Sequence, residues 1–149
     1  MPDLVREAVD DAVVHAWANP SSPHGPGQAA AAMVQRSRLD IAERFGVAPK
    51  AVFFTSGATE GNAWVLSGTS LPVVASAVEH PSVLAWASET VPVDSAGTID
   101  LEALETRLAQ EPAMVSVMAA NNETGVIQPM NDVVSICRKY GAALHCDAT

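Results

Sequence analysis

The sequence predicts an α/β fold of three layers, a doubly wound and mostly parallel sheet with helices on both faces. Three observations carry this expectation. From Ala51 onward, short apolar runs alternate with segments of helical apolar spacing, joined by brief turns, as parallel strands alternate with crossover helices. The run Ala113-Met114-Val115-Ser116-Val117-Met118-Ala119 is almost continuously apolar, which suits a strand covered on both faces. The 149 residues, 48% hydrophobic and 17% charged, are enough for one domain with a real core.

Along the chain, Leu4, Ala8, Ala12, Ala16 and Val5, Val9, Val13, Trp17 form two four-residue columns, which predicts an amphipathic helix with a broad apolar face. Asn19 to Gly27, with three prolines and two glycines, is a rigid irregular loop. A second helix is predicted from about Gln28 to Phe45, with Val34, Ile41 and Phe45 on the buried side and Gly46 as its stop. Ala51-Val52-Phe53-Phe54 reads as a buried central strand feeding the turn Thr55-Ser56-Gly57-Ala58-Thr59-Glu60, and Glu60 to Gly68 as a short helix. Leu71–Ser76 is the next strand, then Pro81 opens a short helix reaching Glu89, and Val91-Pro92-Val93 is a brief strand. Asp100 caps a helix that presents Leu101, Leu104 and Leu108. After the Ala113–Ala119 strand and the loop Asn121–Gly125, Val133, Ile136, Cys137 and Tyr140 mark a helix closed by Gly141, and Ala142–Asp147 is the last strand. Residues 1–48 are read as N-terminal helices with the Pro/Gly loop and 49–149 as the α/β part, together one structural unit.

Several function classes are excluded. A net charge of −9 argues against a nucleic-acid partner, although it leaves room for a small phosphate held by backbone amides. No apolar run approaches about 18 residues, so a membrane partner is not expected. The N-terminus lacks the basic and apolar regions of a signal peptide, and Cys137 and Cys146 lack metal-type spacing. The expectation is a cytoplasmic protein with reduced thiols and no metal.

In such a sheet, ligands bind beyond the carboxyl ends of the strands. At those ends stand, in chain order, Thr55–Thr59, then Glu79-His80, then Asn121-Asn122, then Asp147. The turn and the following helix N-terminus form an anion cradle, although Thr55, Ser56 and Thr59 would serve equally as helix caps. Likewise, Asp147 suits a helix cap, His80 a surface turn and Asn122 an ordinary turn former. His145 reads as a satisfied buried histidine and His15 as a solvated one. Convergence on one sheet edge favours a site: a phosphate cradle, an imidazole, a carboxamide and a carboxylate suit a phosphorylated heteroaromatic with a ring nitrogen, and pyridoxal phosphate is the obvious candidate.

Asn19-Pro20-Ser21-Ser22 with His24, Phe54-Thr55-Ser56-Gly57-Ala58-Thr59-Glu60, Glu79-His80-Pro81-Ser82-Val83-Leu84, Asn121-Asn122-Glu123-Thr124-Gly125 and His145-Cys146-Asp147-Ala148 together resemble the class V, fold-type I pyridoxal-phosphate enzymes. Among these the chain looks most like the N-terminal part of the cysteine desulfurases. The resemblance implies that Gly57, Ala58 and Thr59 hold the cofactor phosphate, that His80 stacks on the pyridine ring, that Asn122 sits by the ring's phenolic oxygen and that Asp147 pairs with the pyridine nitrogen. It implies removal of sulfur from L-cysteine, leaving L-alanine, with the sulfur carried as a persulfide on a mobile cysteine, as in iron-sulfur cluster assembly. Other class V activities, a selenocysteine lyase or an aminotransferase, and a non-catalytic cofactor-binding or scaffold subunit remain alternatives.

The chain also departs from the family pattern. The Schiff-base lysine of such enzymes follows a further strand, and neither Lys50 nor Lys139 occupies an equivalent place. Neither Cys137 nor Cys146 lies in a persulfide-loop motif, and the family's opening Asn-Ala-Ala-Thr type strand does not precede Leu4. The expectation is a chain that holds much of the cofactor cradle, is inactive alone, and is completed by a homodimer partner or by a complementing C-terminal half.

Overall fold

The computed structural model describes all of residues 1–149. The chain divides into two compact units, Met1–Phe54 and Thr55–Thr149.

In the first unit, α1 (Asp3–His15) is followed by α2 (Gly25–Phe45) and a short 3-10 turn at Pro49–Ala51. Helix α2 starts earlier than Gln28, because His24 caps it by accepting from the Gly27 N–H and Pro26 falls in its first turn, where a missing donor costs little. It ends at Gly46, whose φ of 64° takes the left-handed conformation that lets a glycine close a helix. The apolar columns of α1 do not form a buried face: none of its residues is buried, and Leu4 and Trp17 are 78% and 71% exposed. On α2 the buried positions are Gly27, Ala30 and Ala42 rather than Val34, Ile41 and Phe45. The buried positions of α2 are thus small residues, and Gly27 lies against the backbone of the Asn19–Ser22 loop, where a Cβ would clash.

Ala51–Phe54 corrects the sequence reading most clearly. The segment is not a strand: Ala51 ends the 3-10 turn, Val52–Phe54 pairs with no strand, and Phe53 is 66% exposed. An apolar run becomes a strand only where another strand completes its hydrogen-bond ladder. Here the run instead lies against α2, where Arg38 donates to the Val52 carbonyl (3.2 Å) and stacks over the Phe54 ring.

The second unit is a four-stranded, all-parallel sheet flanked by helices. It contains α3 (Ala58–Ser67), β1 (Val73–Ser76), α4 (Pro81–Leu84), β2 (Glu89–Val91), α5 (Leu101–Leu108), β3 (Met114–Ser116), α6 (Met130–Tyr140) and β4 (Ala143–His145). Strand order is β2-β1-β3-β4. The register pairs Val74 with Glu89 and Val115, and Val115 with Leu144. Strand β2 begins at Glu89 rather than Val91, and α4 stops at Leu84, because the ladder with β1 recruits Glu89–Val91 and Pro92 then offers no donor.

Alternation along the strands sorts the core into two layers. On one face Val74 and Val115 pack with Leu104 and Leu108 of α5 and Val133 and Cys137 of α6. On the other, Val73 and Ala75 meet Leu66 of α3 and Val83 of α4. These are the three layers predicted. Asp100 caps α5 by accepting from the Ala103 N–H (2.9 Å), and Gly141 closes α6 with a φ of 66°. No helix is long and apolar enough to cross a membrane.

Candidate functional site

Because the strands are parallel, the segments leaving the carboxyl ends of β1, β3 and β4 gather at one edge of the sheet, where the N-terminus of α3 joins them. There they line a cavity of about 470 Å³. Its walls are Ser56–Glu60, His80, Met118, Ala120, Asn122, Asp147 and Thr149. All six residues singled out in the sequence (Gly57, Ala58, Thr59, His80, Asn122 and Asp147) are thereby brought together. No lysine and no cysteine is among them.

The floor at Gly57–Thr59 is the N-terminus of α3. The first N–H groups of a helix have no intrahelical partner, and no side chain caps this helix. The Thr55 hydroxyl instead donates to the Gly57 carbonyl (3.1 Å), and the Glu60 carboxylate accepts from the Ser56 N–H (2.6 Å); the Ser56 side chain and then this N–H hold Glu60 below the usual carboxylate range. None of Thr55, Ser56 and Thr59 caps the helix through its side chain, and the residues of its first turn line the cavity. A Cβ on Gly57 would meet nothing within 4 Å, and its φ of 165° is ordinary extended backbone, so the room beside it is open to a ligand.

Asp147, just beyond β4, is another wall of the cavity. Its Oδ1 accepts from the Thr149 N–H (3.1 Å) and hydroxyl (2.6 Å), and its Oδ2 from Asn62 Nδ2 (2.8 Å). Burial pushes the carboxyl up, but these donors, together with His145, outweigh it and leave Asp147 below its ordinary value. It is therefore a carboxylate that can only accept. His80 caps α4; its Nδ1 accepts from the Ser82 N–H (3.1 Å) and lies 2.7 Å from Ser82 Oγ. Asn121, not Asn122, shapes the loop after β3: its side chain accepts from the Glu123 and Thr124 N–H groups and donates to the Val78 carbonyl. That leaves the Asn122 side chain at the cavity rim.

Three residues bear on the site without having been singled out. Asn62 and Ser82 are joined by a 3.0 Å hydrogen bond behind the cavity wall. Glu79 is 4% exposed; its Oε1 accepts from the Met118 N–H (2.5 Å), and its Oε2 is buried without a partner. Burial pushes Glu79 up to about 7, helped by the Asp147 charge and opposed by the Met118 N–H. Glu79 and Ser82 stand within the Glu79–Leu84 motif, and for Asn62 the one sequence signal is spacing, since it stands three residues after Thr59 and so on the same side of α3.

The remaining candidates stay apart from the cavity. His145 is half-buried with Nδ1 2.8 Å from Ser116 Oγ, and His15 pairs with Asp11 on the surface. Lys139 of α6 binds Glu105 of α5 (2.5 Å), and Lys50 belongs to the first unit. Cys137 packs in the core, Cys146 follows β4, and burial pushes both thiols up, away from the reactive thiolate form. No group of three or more His, Cys, Asp or Glu residues suits a metal ion.

The family model for aminotransferase class-V matches residues 1–149. The chain belongs to the aminotransferase class-V family. Among relatives of this class V chain, the cysteine desulfurase IscS 1 of Archaeoglobus fulgidus is 37% identical over 99% of the chain and 42% of its own length. A cysteine desulfurase of a Frankia species is 36% identical over 89% of the chain and 38% of its own length. A solved NifS-like protein superposes with a TM-score of 0.91 at 34% identity, covering all of the chain and 46% of that structure. The chain thus spans about two fifths of the length of the curated relatives it matches. The fold is that of the NifS-like structure, and in sequence the chain is similar to cysteine desulfurases.

Glu79 gives the class V chain a testable pH signature. A carboxyl raised in the folded state is protonated there while the unfolded chain has already released its proton, so stability falls as pH rises from about 4.5 to about 7. Burial lowers His145, which acts in the opposite sense just below 6.5, so parent and variant must be compared directly. Glu79→Gln, which keeps an acceptor for the Met118 N–H, is expected to raise the urea midpoint at pH 8 relative to the parent and to narrow that gap at pH 4.5. A gap independent of pH would remove the titration of Glu79 as its cause.

Proposed function

We propose that the cavity holds pyridoxal phosphate and that the chain forms the cofactor-binding part of a cysteine desulfurase. The observation that carries this reading is the pair of complementary groups that line one cavity. The uncapped N-terminus of α3 at Gly57, Ala58 and Thr59 offers amide donors to a phosphate. In the same cavity, Asp147 is a hydrogen-bonded carboxylate, the chemistry a protonated pyridine nitrogen requires. The donor set therefore fits the group. Gly57, Ala58 and Thr59 would hold its phosphate, His80 would lie against its ring, Asn122 would approach its phenolic oxygen, and Asp147 would keep its ring nitrogen protonated.

When bound, pyridoxal phosphate supplies an electron sink for bond breaking at the α-carbon of an amino acid. This chain's residues contribute charge and position. Asp147, held as an acceptor by Thr149 and Asn62, would retain a proton on the ring nitrogen, and His80, held at Nδ1 by Ser82, would present a ring of defined orientation. The substrate assigned is L-cysteine, with L-alanine as the product and the sulfur carried as a persulfide, because the named relatives are cysteine desulfurases at 36% and 37% identity.

Neither lysine nor cysteine lines the cavity, so we assign the covalent steps to groups supplied by a complementing C-terminal half or a second copy of the chain. In a cytoplasmic setting such an assembly would feed iron-sulfur cluster formation. The expected result, with pyridoxal phosphate and L-cysteine present, is no sulfide or alanine above background from the chain alone, and turnover once a C-terminal half carrying a lysine and a cysteine is added. Turnover by the chain alone would overturn the assignment of the covalent groups, and no turnover in the completed assembly would overturn the desulfurase reading.

A further inference from the structure

Asn62 is 4% exposed on α3 and is not itself a wall of the cavity. Its single Nδ2 amine is used twice: it donates to Asp147 Oδ2 (2.8 Å) and to Ser82 Oγ (3.0 Å). These partners lie 85 and 20 residues away in sequence, on two other elements. Since Ser82 Oγ accepts from Asn62, its own proton is free to go to His80 Nδ1, 2.7 Å away. The Ser82 N–H reaches the same nitrogen at 3.1 Å. The donors therefore run in one direction, from Asn62 outward to a carboxylate on one side and, through a hydroxyl, to an imidazole on the other. An Nδ1 that accepts leaves the proton of the neutral ring on Nε2.

We propose that Asn62 and Ser82 are positioning residues that tie the Asp147 carboxylate to the His80 ring through one hydrogen-bonded chain, so that the two groups aimed at a bound pyridine ring are set together. The role rests on the cofactor reading above, whereas the link itself is a property of the chain without cofactor. Packing alone would be served as well by leucine at position 62. Burying a primary amide is favourable only when its donors are satisfied, and here both are engaged by groups that serve the site. Asp147 therefore owes part of its orientation, and part of its lowered proton affinity, to a residue on α3, the helix whose N-terminus also lines the cavity.

The test uses the full chain labelled with nitrogen-15 and carbon-13, first without cofactor. In the parent, the His80 imidazole nitrogens are expected to show an unprotonated Nδ1 and a protonated Nε2. Asn62→Leu is expected to move the Asp147 carboxyl midpoint to higher pH and also to shift the His80 nitrogens. Ser82→Ala, a smaller change that preserves the fold if the first variant does not, is expected to shift the His80 nitrogens and the Asn62 side-chain amide, and Ser82→Thr is expected to restore them. If Asp147 and His80 are unmoved in folded variants, the link is overturned. Pyridoxal phosphate is then added, and its affinity is expected to fall roughly tenfold in Asn62→Leu, the weight of one hydrogen bond to a charged group. Intact NMR responses with no cofactor binding by the parent would overturn the cofactor reading and the proposed role while leaving the link itself standing. Binding that is equally tight in both would overturn the role alone.

Discussion

Asp147→Asn is expected to weaken pyridoxal phosphate binding by roughly ten- to a hundredfold, as loss of a hydrogen bond between charged groups predicts. The change keeps the shape of the side chain and an oxygen for the donors of Thr149 or Asn62. It removes the negative charge that would hold a proton on the cofactor's ring nitrogen. The amide also brings two donors of its own into a place where every neighbouring contact on Asp147 is already a donor, from Thr149 and Asn62, so one of them loses its acceptor. Absorbance titration with the cofactor, alongside far-ultraviolet circular dichroism to establish that the fold persists, measures the effect. Equal affinities in parent and variant would mean that Asp147 does not face the ring nitrogen.

The second large effect concerns the scaffold. Leu104→Ala is expected to destabilise the second unit by about 2–5 kcal/mol, a large share of the few to about 15 kcal/mol that hold a domain of this size. Leu104 is fully buried on α5, in the core layer that also contains Val74, Val115 and Val133. Truncation leaves a cavity against β1 and β3, the two central strands, which have no room to collapse because each is paired on both sides. Urea unfolding followed by circular dichroism gives the value. A loss below about 1 kcal/mol would show that α5 is loosely packed. Since the strand ends carry the site, this variant is also expected to bind the cofactor more weakly near its unfolding midpoint, in proportion to the unfolded fraction.

Much of the architecture was legible in the residues. Leu101, Leu104 and Leu108 at helical spacing behind Asp100 marked α5 with its cap, and the apolar stretch around Val115 marked a central strand covered on both faces. The parallel sheet followed from alternation, and with it the gathering of His80, Asn122 and Asp147 at one edge, whereas Gly57 joins them from the N-terminus of α3 and not from the end of the strand expected before it. What failed was Ala51–Phe54. Its composition matches a strand, but composition reports burial preference and not the presence of a partner ladder, and in this chain nothing pairs with it. The faces of α1 and α2 failed for a related reason: periodicity shows which side of a helix is apolar, not whether anything covers it.

The interior of the site was less legible than its walls. Asn62 reads in sequence as a weak helix former, and only its distance of 2.8 Å to Asp147, 85 residues later, reveals its work. Glu79 reads as a turn residue beside a proline. Its burial beneath the Met118 N–H depends on β1 and β3 being neighbours, which no local pattern encodes. Non-local contacts of this kind are what a single sequence leaves out.

The cofactor reading turns on whether the N-terminus of α3 receives a phosphate in the cavity that Asp147 also lines. The most direct measurement is a backbone amide map of the labelled chain titrated with pyridoxal phosphate and, separately, with pyridoxal. The phosphorylated cofactor is expected to shift the amides of Gly57, Ala58 and Thr59 together with those around His80 and Asp147. Pyridoxal is expected to lack the Gly57–Thr59 shifts and to bind more weakly. Shifts that spare Gly57–Thr59, or that are the same for both compounds, would contradict a phosphate cradle at this helix.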